Sequence, residues 1–111
     1  MKVVFHIHDL AMWETCLANV RNFLHANDDK LSCQVEVVAN GPAVKGYLDA
    51  DICEGIKQIM VHSNIVFSSC HKAMTNQQIE KTDLLIDVSV VSSGVYRLVE
   101  LQYQHYAYIK V

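Results

Sequence analysis

The stretch that decides the fold is Ile65-Val66-Phe67-Ser68-Ser69-Cys70, which runs directly into a helical segment that begins near His71. A short apolar run of this kind is typical of a strand buried in a sheet. The point between a strand's end and the next helix is where α/β proteins place their chemistry. Backbone N–H groups and the helix dipole at that point favour a thiolate over a thiol. The stretch therefore indicates an α/β fold and a candidate reactive sulfur at Cys70.

The rest of the chain repeats this order of strand and helix. Strands are predicted at residues 2–7, 34–39, 65–69, 87–91 and 107–111, and apolar side chains recur at helical spacing between them. The helix from His71 to about Glu80 has a weak apolar face and is expected to be largely exposed or at an interface. Strands separated by helices pair in parallel through right-handed crossovers. The prediction is a single domain over residues 1–111, a three-layer α/β/α sandwich around a mostly parallel five-stranded sheet.

Composition limits the functions open to the chain. Of its 111 residues, 51% are hydrophobic and 19% are charged, so it leans apolar for a domain of ordinary composition. No apolar run approaches the roughly 20 residues of a membrane-spanning helix, so no membrane is expected as a partner. The surplus apolar surface is expected in a core or between copies of the chain. A net charge of −3 argues against a nucleic-acid partner, because binding phosphates needs a basic surface.

The four cysteines show no close pairing. No signal peptide precedes the first strand, so a cytoplasmic location and reduced thiols are expected. Cys16 lies on the apolar face of the first helix and is predicted to be core, and Cys33 and Cys53 are predicted to be structural. A thiolate at Cys70 could attack sulfane sulfur or carry a persulfide. The alternative is that Cys70 is a small buried apolar residue, as free cysteines often are.

The loops that follow the strands bring further candidates to the same edge of the sheet. They are His8 after the first strand, Asn40 and Gly41 after the second, Ser69 and His71 on either side of Cys70, and Ser93 and Gly94 after the fourth. A loop that leads into a helix can hold an anion through its N–H groups, and turn or capping roles are the alternative. His71 could act as a base or, when protonated, favour the thiolate. No nucleotide-binding glycine motif is present, and no cofactor is predicted.

Two further patterns near this edge have weaker interpretations. Side chains alternate along a strand, so His6 and His8 point to the same side, and a zinc site at His8, Cys70 and His71 is a minor hypothesis. The spacing supports it poorly, and no metal is predicted. A group of tyrosines near the end of the chain is expected to pack the last helix against the sheet or a neighbouring subunit. They are Tyr96, Tyr103, Tyr106 and Tyr108.

Several stretches together resemble the DsrE/DsrF-like family of small sulfur-relay proteins. They are Val3-Val4-Phe5-His6-Ile7, Val37-Val38-Ala39-Asn40-Gly41-Pro42, Val66-Phe67-Ser68-Ser69-Cys70 and a closing block that runs from Val90 to Gln102 and continues in Tyr106-Ala107-Tyr108-Ile109-Lys110. The closing block is the most specific, and the resemblance covers nearly the whole chain. It implies a parallel five-stranded α/β/α domain that assembles as homotrimers or larger oligomers. It also implies that Cys70, at the position of the family's cysteine, carries a persulfide between a sulfur donor and an acceptor protein.

Two functions follow as hypotheses. In the first, the protein is a cytoplasmic sulfur carrier, which predicts that Cys70 is partly exposed. In the second, it is a non-catalytic homo-oligomeric module that binds a small ligand or a protein. The second predicts a buried, inert Cys70 and an apolar cleft between subunits.

Overall fold

A computed structural model describes residues 1–27, 32–61 and 64–111. Within them, the five strands are β1 (Lys2–Ile7), β2 (Gln34–Ala39), β3 (Ile65–Cys70), β4 (Ser89–Val91) and β5 (Ala107–Lys110). The four α-helices in the same ranges are α1 (Trp13–Ala26), α2 (Ala50–Met60), α3 (His71–Asn76) and α4 (Gly94–Tyr103), and 3-10 helices span Leu10–Met12, Gly41–Leu48 and Lys81–Asp83. The strands lie in the order β4-β3-β2-β1-β5, and every neighbouring pair is parallel. The predicted three-layer α/β/α fold is confirmed.

The two faces of the sheet are covered unequally, because strand side chains alternate between them. One face packs against α1, α2 and the 3-10 helix Gly41–Leu48 and forms the larger core. Trp13 lies at its centre, with its ring 5.3 Å from that of Tyr47 and its indole N–H donating to the Ala43 carbonyl at 2.8 Å. The other face has a smaller core, in which Val4 and Val38 of the sheet meet Leu98 and Leu101 of α4.

A buried ion pair holds α4 on this second face. Glu36 points out of β2 under the helix and is 3% exposed. Arg97 donates to both of its carboxylate oxygens, each at 2.8 Å, and the Ser68 hydroxyl donates to Oε2 at 2.9 Å. The bond to Glu36 is the main reason why the pKa of Arg97 is raised. A bidentate, charge-assisted contact of this kind fixes the orientation of the helix as well as its distance from the sheet.

The element boundaries differ from the predicted ones in the second half of the chain. The helix after Cys70 ends at Asn76 instead of near Glu80. Four of its six residues are exposed, as predicted, whereas Ala73 and Met74 are buried. The chain leaves the helix through Gln78, whose φ is 59°, and the Ile79 N–H returns to the Met74 carbonyl at 2.9 Å. β4 begins two residues later than predicted, and β5 ends one residue earlier. No helix in the described part of the chain is long and apolar enough to cross a membrane.

Candidate functional site

The strand register places the predicted loops next to one another. Ile7 pairs with Ala39, and Ala39 pairs with Ser69, so the residues that follow stand side by side at the carboxyl ends of β1, β2 and β3. These residues are His8, Asn40 and Cys70. Cys70 also pairs with Val91 of β4, which brings the start of α4 to the same edge.

Cys70 ends β3 and caps α3. Its sulfur accepts a hydrogen bond from the Ala73 N–H at 3.5 Å. The residue is 7% exposed, so the predicted partial exposure is wrong and the burial expected by the second hypothesis is confirmed. Gly94, at the start of α4, packs directly against it. A β-carbon on Gly94 would lie 3.2 Å from the Cys70 Cβ and 3.7 Å from its Sγ.

The other three cysteines are buried, and the prediction that Cys16 belongs to the core is confirmed. Cys16 is 0% exposed, Cys53 is 2% and Cys33 is 3%, so Cys70 is the most accessible of the four. Burial raises the pKa of Cys16 to about 12 and also raises the pKa of Cys53, because a thiolate loses its hydration there. Cys16 and Cys53 are therefore poorly suited to nucleophilic chemistry.

Asn40 binds two histidines, His6 in β1 and His8 just after it, and lies close to Gly94. Its carboxamide oxygen accepts from His6 Nε2 at 2.9 Å and from His8 Nδ1 at 3.2 Å, so each of these nitrogens carries a hydrogen. The Cβ of Asn40 lies 3.1 Å from where a β-carbon on Gly94 would be, and Gly94 in turn touches Cys70. The prediction that His6 and His8 share one side of the strand is confirmed.

His6 lies in a hydrogen-bonded chain that reaches β5. With its hydrogen on Nε2, the neutral ring accepts at Nδ1 from the Tyr108 hydroxyl at 2.6 Å. Burial is the main reason why the pKa of His6 lies below its ordinary value, and the nearby Lys110 lowers it further. The sequence pattern does not predict this contact of Tyr108. Because side chains alternate along β1 and β5, His6 and Tyr108 lie on the same face of the sheet. Their contact can be inferred from this alternation only once the two strands are known to be neighbours.

Gly41 is needed for the shape of this turn. Its φ is +53°, and a β-carbon there would collide with the His8 ring. The Gly41 carbonyl accepts from the Gln77 side chain at 2.8 Å, which ties the turn to the end of α3. The glycine thus lets the His8 ring lie against the backbone.

The remaining predicted residues have more ordinary positions. Ser93 caps α4 by accepting from the Tyr96 N–H at 3.2 Å, as the capping alternative expected. His71 begins α3 and is exposed. Ser69 is fully buried, and its hydroxyl has no hydrogen-bond partner among the described residues. The described ranges hold no group of three or more His, Cys, Asp or Glu side chains that could bind a metal, so they add no support to the zinc hypothesis at His8, Cys70 and His71.

Comparison with known proteins relates the chain to a solved structure. No protein-family model matches the sequence. No curated protein matches it significantly. The structure of a protein of unknown function, MTH1491 from Methanobacterium thermoautotrophicum, is 30% identical in sequence, and the match covers 99% of this chain and 98% of that one with a TM-score of 0.88. The chain belongs to the family of that protein. The likeness supports the fold over its whole length, and because the relative's function is unknown, it brings no activity or ligand to this chain.

Proposed function

We propose that the protein is a cytoplasmic carrier of sulfane sulfur and that Cys70 holds the sulfur as a persulfide. The observation that carries the proposal is the position of the Cys70 sulfur, which accepts the Ala73 N–H and lies against Gly94 at the start of α4. Backbone N–H groups and a helix N-terminus stabilise negative charge on sulfur. The resemblance to the DsrE/DsrF-like sulfur-relay proteins supports the same residue.

The transfer needs no oxidant. The Cys70 thiolate attacks the outer sulfur of a persulfide donor, R–S–SH, so that an Sγ–S bond forms and the donor's S–S bond breaks. The donor leaves as R–S⁻, and Cys70 becomes Cys–S–SH. An acceptor thiolate then attacks the outer sulfur in the same way and restores the Cys70 thiolate. Each step is a thiolate displacement at sulfur, of the kind that governs thiol–disulfide exchange.

Burial of Cys70 sets a condition on this chemistry. A thiol that is 7% exposed can meet only a small donor or a partner that fits closely over the edge of the sheet. Gly94 allows the close packing beside it, because a side chain there would crowd the β-carbons of Asn40 and Cys70. His8 and His71 are exposed near this opening and would meet the donor or acceptor protein.

The test is the intact mass of the protein before and after incubation with a small persulfide donor, followed by peptide mapping. A gain of about 32 Da, one sulfur atom, is expected on Cys70. Cys70→Ser should abolish the gain, and Cys53→Ser is the matched control that should leave it unchanged. A gain on another cysteine, or a Cys70→Ser variant that loads as well as the wild type, would overturn the proposal.

A second candidate function, a homo-oligomeric module that binds a small ligand or a protein, is favoured by the outer face of α4. There Val95 is 63% exposed, Tyr96 64%, Val99 44% and Tyr103 82%, although soluble domains seldom leave such a continuous apolar stripe uncovered. The homotrimeric or larger assembly implied by the resemblance would cover this stripe. Sedimentation of the wild type and of Val99→Asp tests it. An oligomer that dissociates in the variant, together with a Cys70 that stays unmodified by iodoacetamide, would favour this function over sulfur transfer, and a monomeric wild type would reject the assembly.

A further inference from the structure

The β5 strand is an open edge of the sheet. It pairs with β1 alone among the strands of the described residues, and all four of its residues are exposed. The Val111 N–H donates to the His6 carbonyl at 2.9 Å, and alternate residues of a parallel strand bond to opposite sides. The backbone N–H and C=O groups of Tyr108 and Lys110 therefore face outward, where another strand could pair with them.

An apolar groove lies beside this edge. On the face that α1 covers, the helix leaves part of β5 open, and a groove of about 470 Å³ remains between them. Its apolar walls include Val3, Phe5, Phe23, Ala107 and Ile109. The side chains of an extended peptide alternate between two faces, so a strand added at β5 would place every second side chain in this groove.

The opposite face of the same edge is basic. Tyr108 contacts His6 there, and Lys110 follows on the same side of the strand. The charged residue of β5 is Lys110, and the charged residue that lines the groove is Lys2. Both are positive, although the whole chain has a net charge of −3. The Lys2 ammonium donates to the Gln104 carbonyl at 3.3 Å and lies 5.8 Å from the centre of the Tyr106 ring. A second copy paired at β5 would bring two more lysines to the seam, whereas acidic side chains would complement those already present.

We propose that β5 accepts, as a sixth strand, an extended segment of a partner protein in which apolar side chains alternate with acidic ones. The apolar side chains would fill the groove next to Phe5 and Phe23, and the acidic ones would lie on the side of Lys110. Outward N–H and C=O groups of β5 would supply the affinity that is independent of sequence. The inference does not depend on sulfur transfer at Cys70.

The test uses a fluorescein-labelled synthetic peptide of roughly eight residues that alternates valine and glutamate. Fluorescence anisotropy should show binding with a Kd below about 1 mM that weakens as salt is added. Ile109→Glu, which puts a charge into the groove, should weaken binding at least about tenfold. Leu85→Glu is the matched control, because Leu85 is a similarly exposed apolar residue outside this groove, and it should bind like the wild type. Circular dichroism should show that both variants are folded.

A second measurement identifies the surface. On addition of the peptide, amide hydrogen exchange should slow at Tyr108 and Lys110. A peptide of the same length that alternates valine and lysine is the control for charge. The proposal is overturned if no binding is seen up to about 1 mM, if this control peptide binds equally well, or if Leu85→Glu weakens binding as much as Ile109→Glu. It is also overturned if these two amides are already protected in a free protein that sediments as a dimer, because a second copy would then cover the edge.

Discussion

Removing the Arg97 guanidinium should destabilise the fold more than almost any other change at its surface. In Arg97→Met, the Glu36 carboxylate would stay buried at 3% exposure, with the Ser68 hydroxyl as its remaining partner. Breaking a buried ion pair from one side costs about 3–5 kcal/mol, because the other charge is left without compensation. The Glu36 carboxylate keeps the hydrogen bond from Ser68, and the Arg97 side chain is itself 28% exposed. Both facts favour the lower end, about 3 kcal/mol, which corresponds to a fall of roughly 12 °C or more in Tm for a domain of this size.

A double-mutant cycle separates the pair from the packing around it. The free energy of unfolding would be measured by urea denaturation for the wild type, Arg97→Met, Glu36→Leu and the double variant. The double variant should recover much of the loss, with a coupling energy of about 2 kcal/mol or more, because no buried charge is left unpaired. Glu100→Gln is the control: it removes the more exposed partner of Arg97, 3.5 Å away, and should cost less than about 1 kcal/mol.

The reasoning would be refuted by a loss below about 1 kcal/mol in Arg97→Met, or by a double variant whose loss is the sum of the single losses. A second readout connects the pair to the candidate site. Because Arg97 holds α4, its loss should let Gly94 move away from Cys70. Alkylation of Cys70 by iodoacetamide should then be faster than in the wild type, and it should stay unchanged in Glu100→Gln.

Three further outcomes are expected. Gly94→Ala would bring a β-carbon to 3.2 Å from the Cys70 Cβ, so it should lower stability by about 1–2 kcal/mol and slow persulfide loading, whereas Gly55→Ala on α2 should not slow loading. The pKa of His6 in the folded protein lies below its ordinary value of 6.5, so the unfolded chain binds the proton first as the pH falls. The contribution of His6 to stability is therefore full above about pH 6.5 and is lost as the pH falls from there through the lowered folded pKa. Urea midpoints measured across this range should show that His6→Gln lacks this part of the pH dependence. Trp13→Phe should cost about 1–3 kcal/mol in thermal unfolding, because the Ala43 carbonyl loses its buried donor and the smaller ring leaves a gap; a loss below about 0.5 kcal/mol would contradict the role given to that bond.

The strands were predictable because their residues are apolar and bounded by turn signals. β1 and β2 have the predicted limits, and the strand ends that carry His8, Asn40 and Cys70 were assigned to one edge by the rule for parallel sheets alone. The limits of α3 were less predictable, because its length depends on contacts of Met74 and Gln77 that are distant in sequence. The contact of Tyr108 with His6 depends on strand order, which hydrophobic spacing does not determine.

Glu36 shows most clearly what a sequence pattern leaves open. A lone carboxylate within Val35-Glu36-Val37-Val38 is consistent with a strand that has one face exposed to solvent. In the structure, β2 lies in the middle of the sheet and both of its faces are covered. The partner, Arg97, is 61 residues away and comes from a helix whose other face is apolar and exposed. The pair therefore sets the rotation of α4, which decides two things at once. It turns the stripe of Val95 and Val99 outward, where another molecule can meet it, and it presses Gly94 against Asn40 and Cys70. A change that loosens this pair should alter the assembly and the reactivity of the sulfur together, and a variant that altered only one of them would show that α4 is held by some other contact.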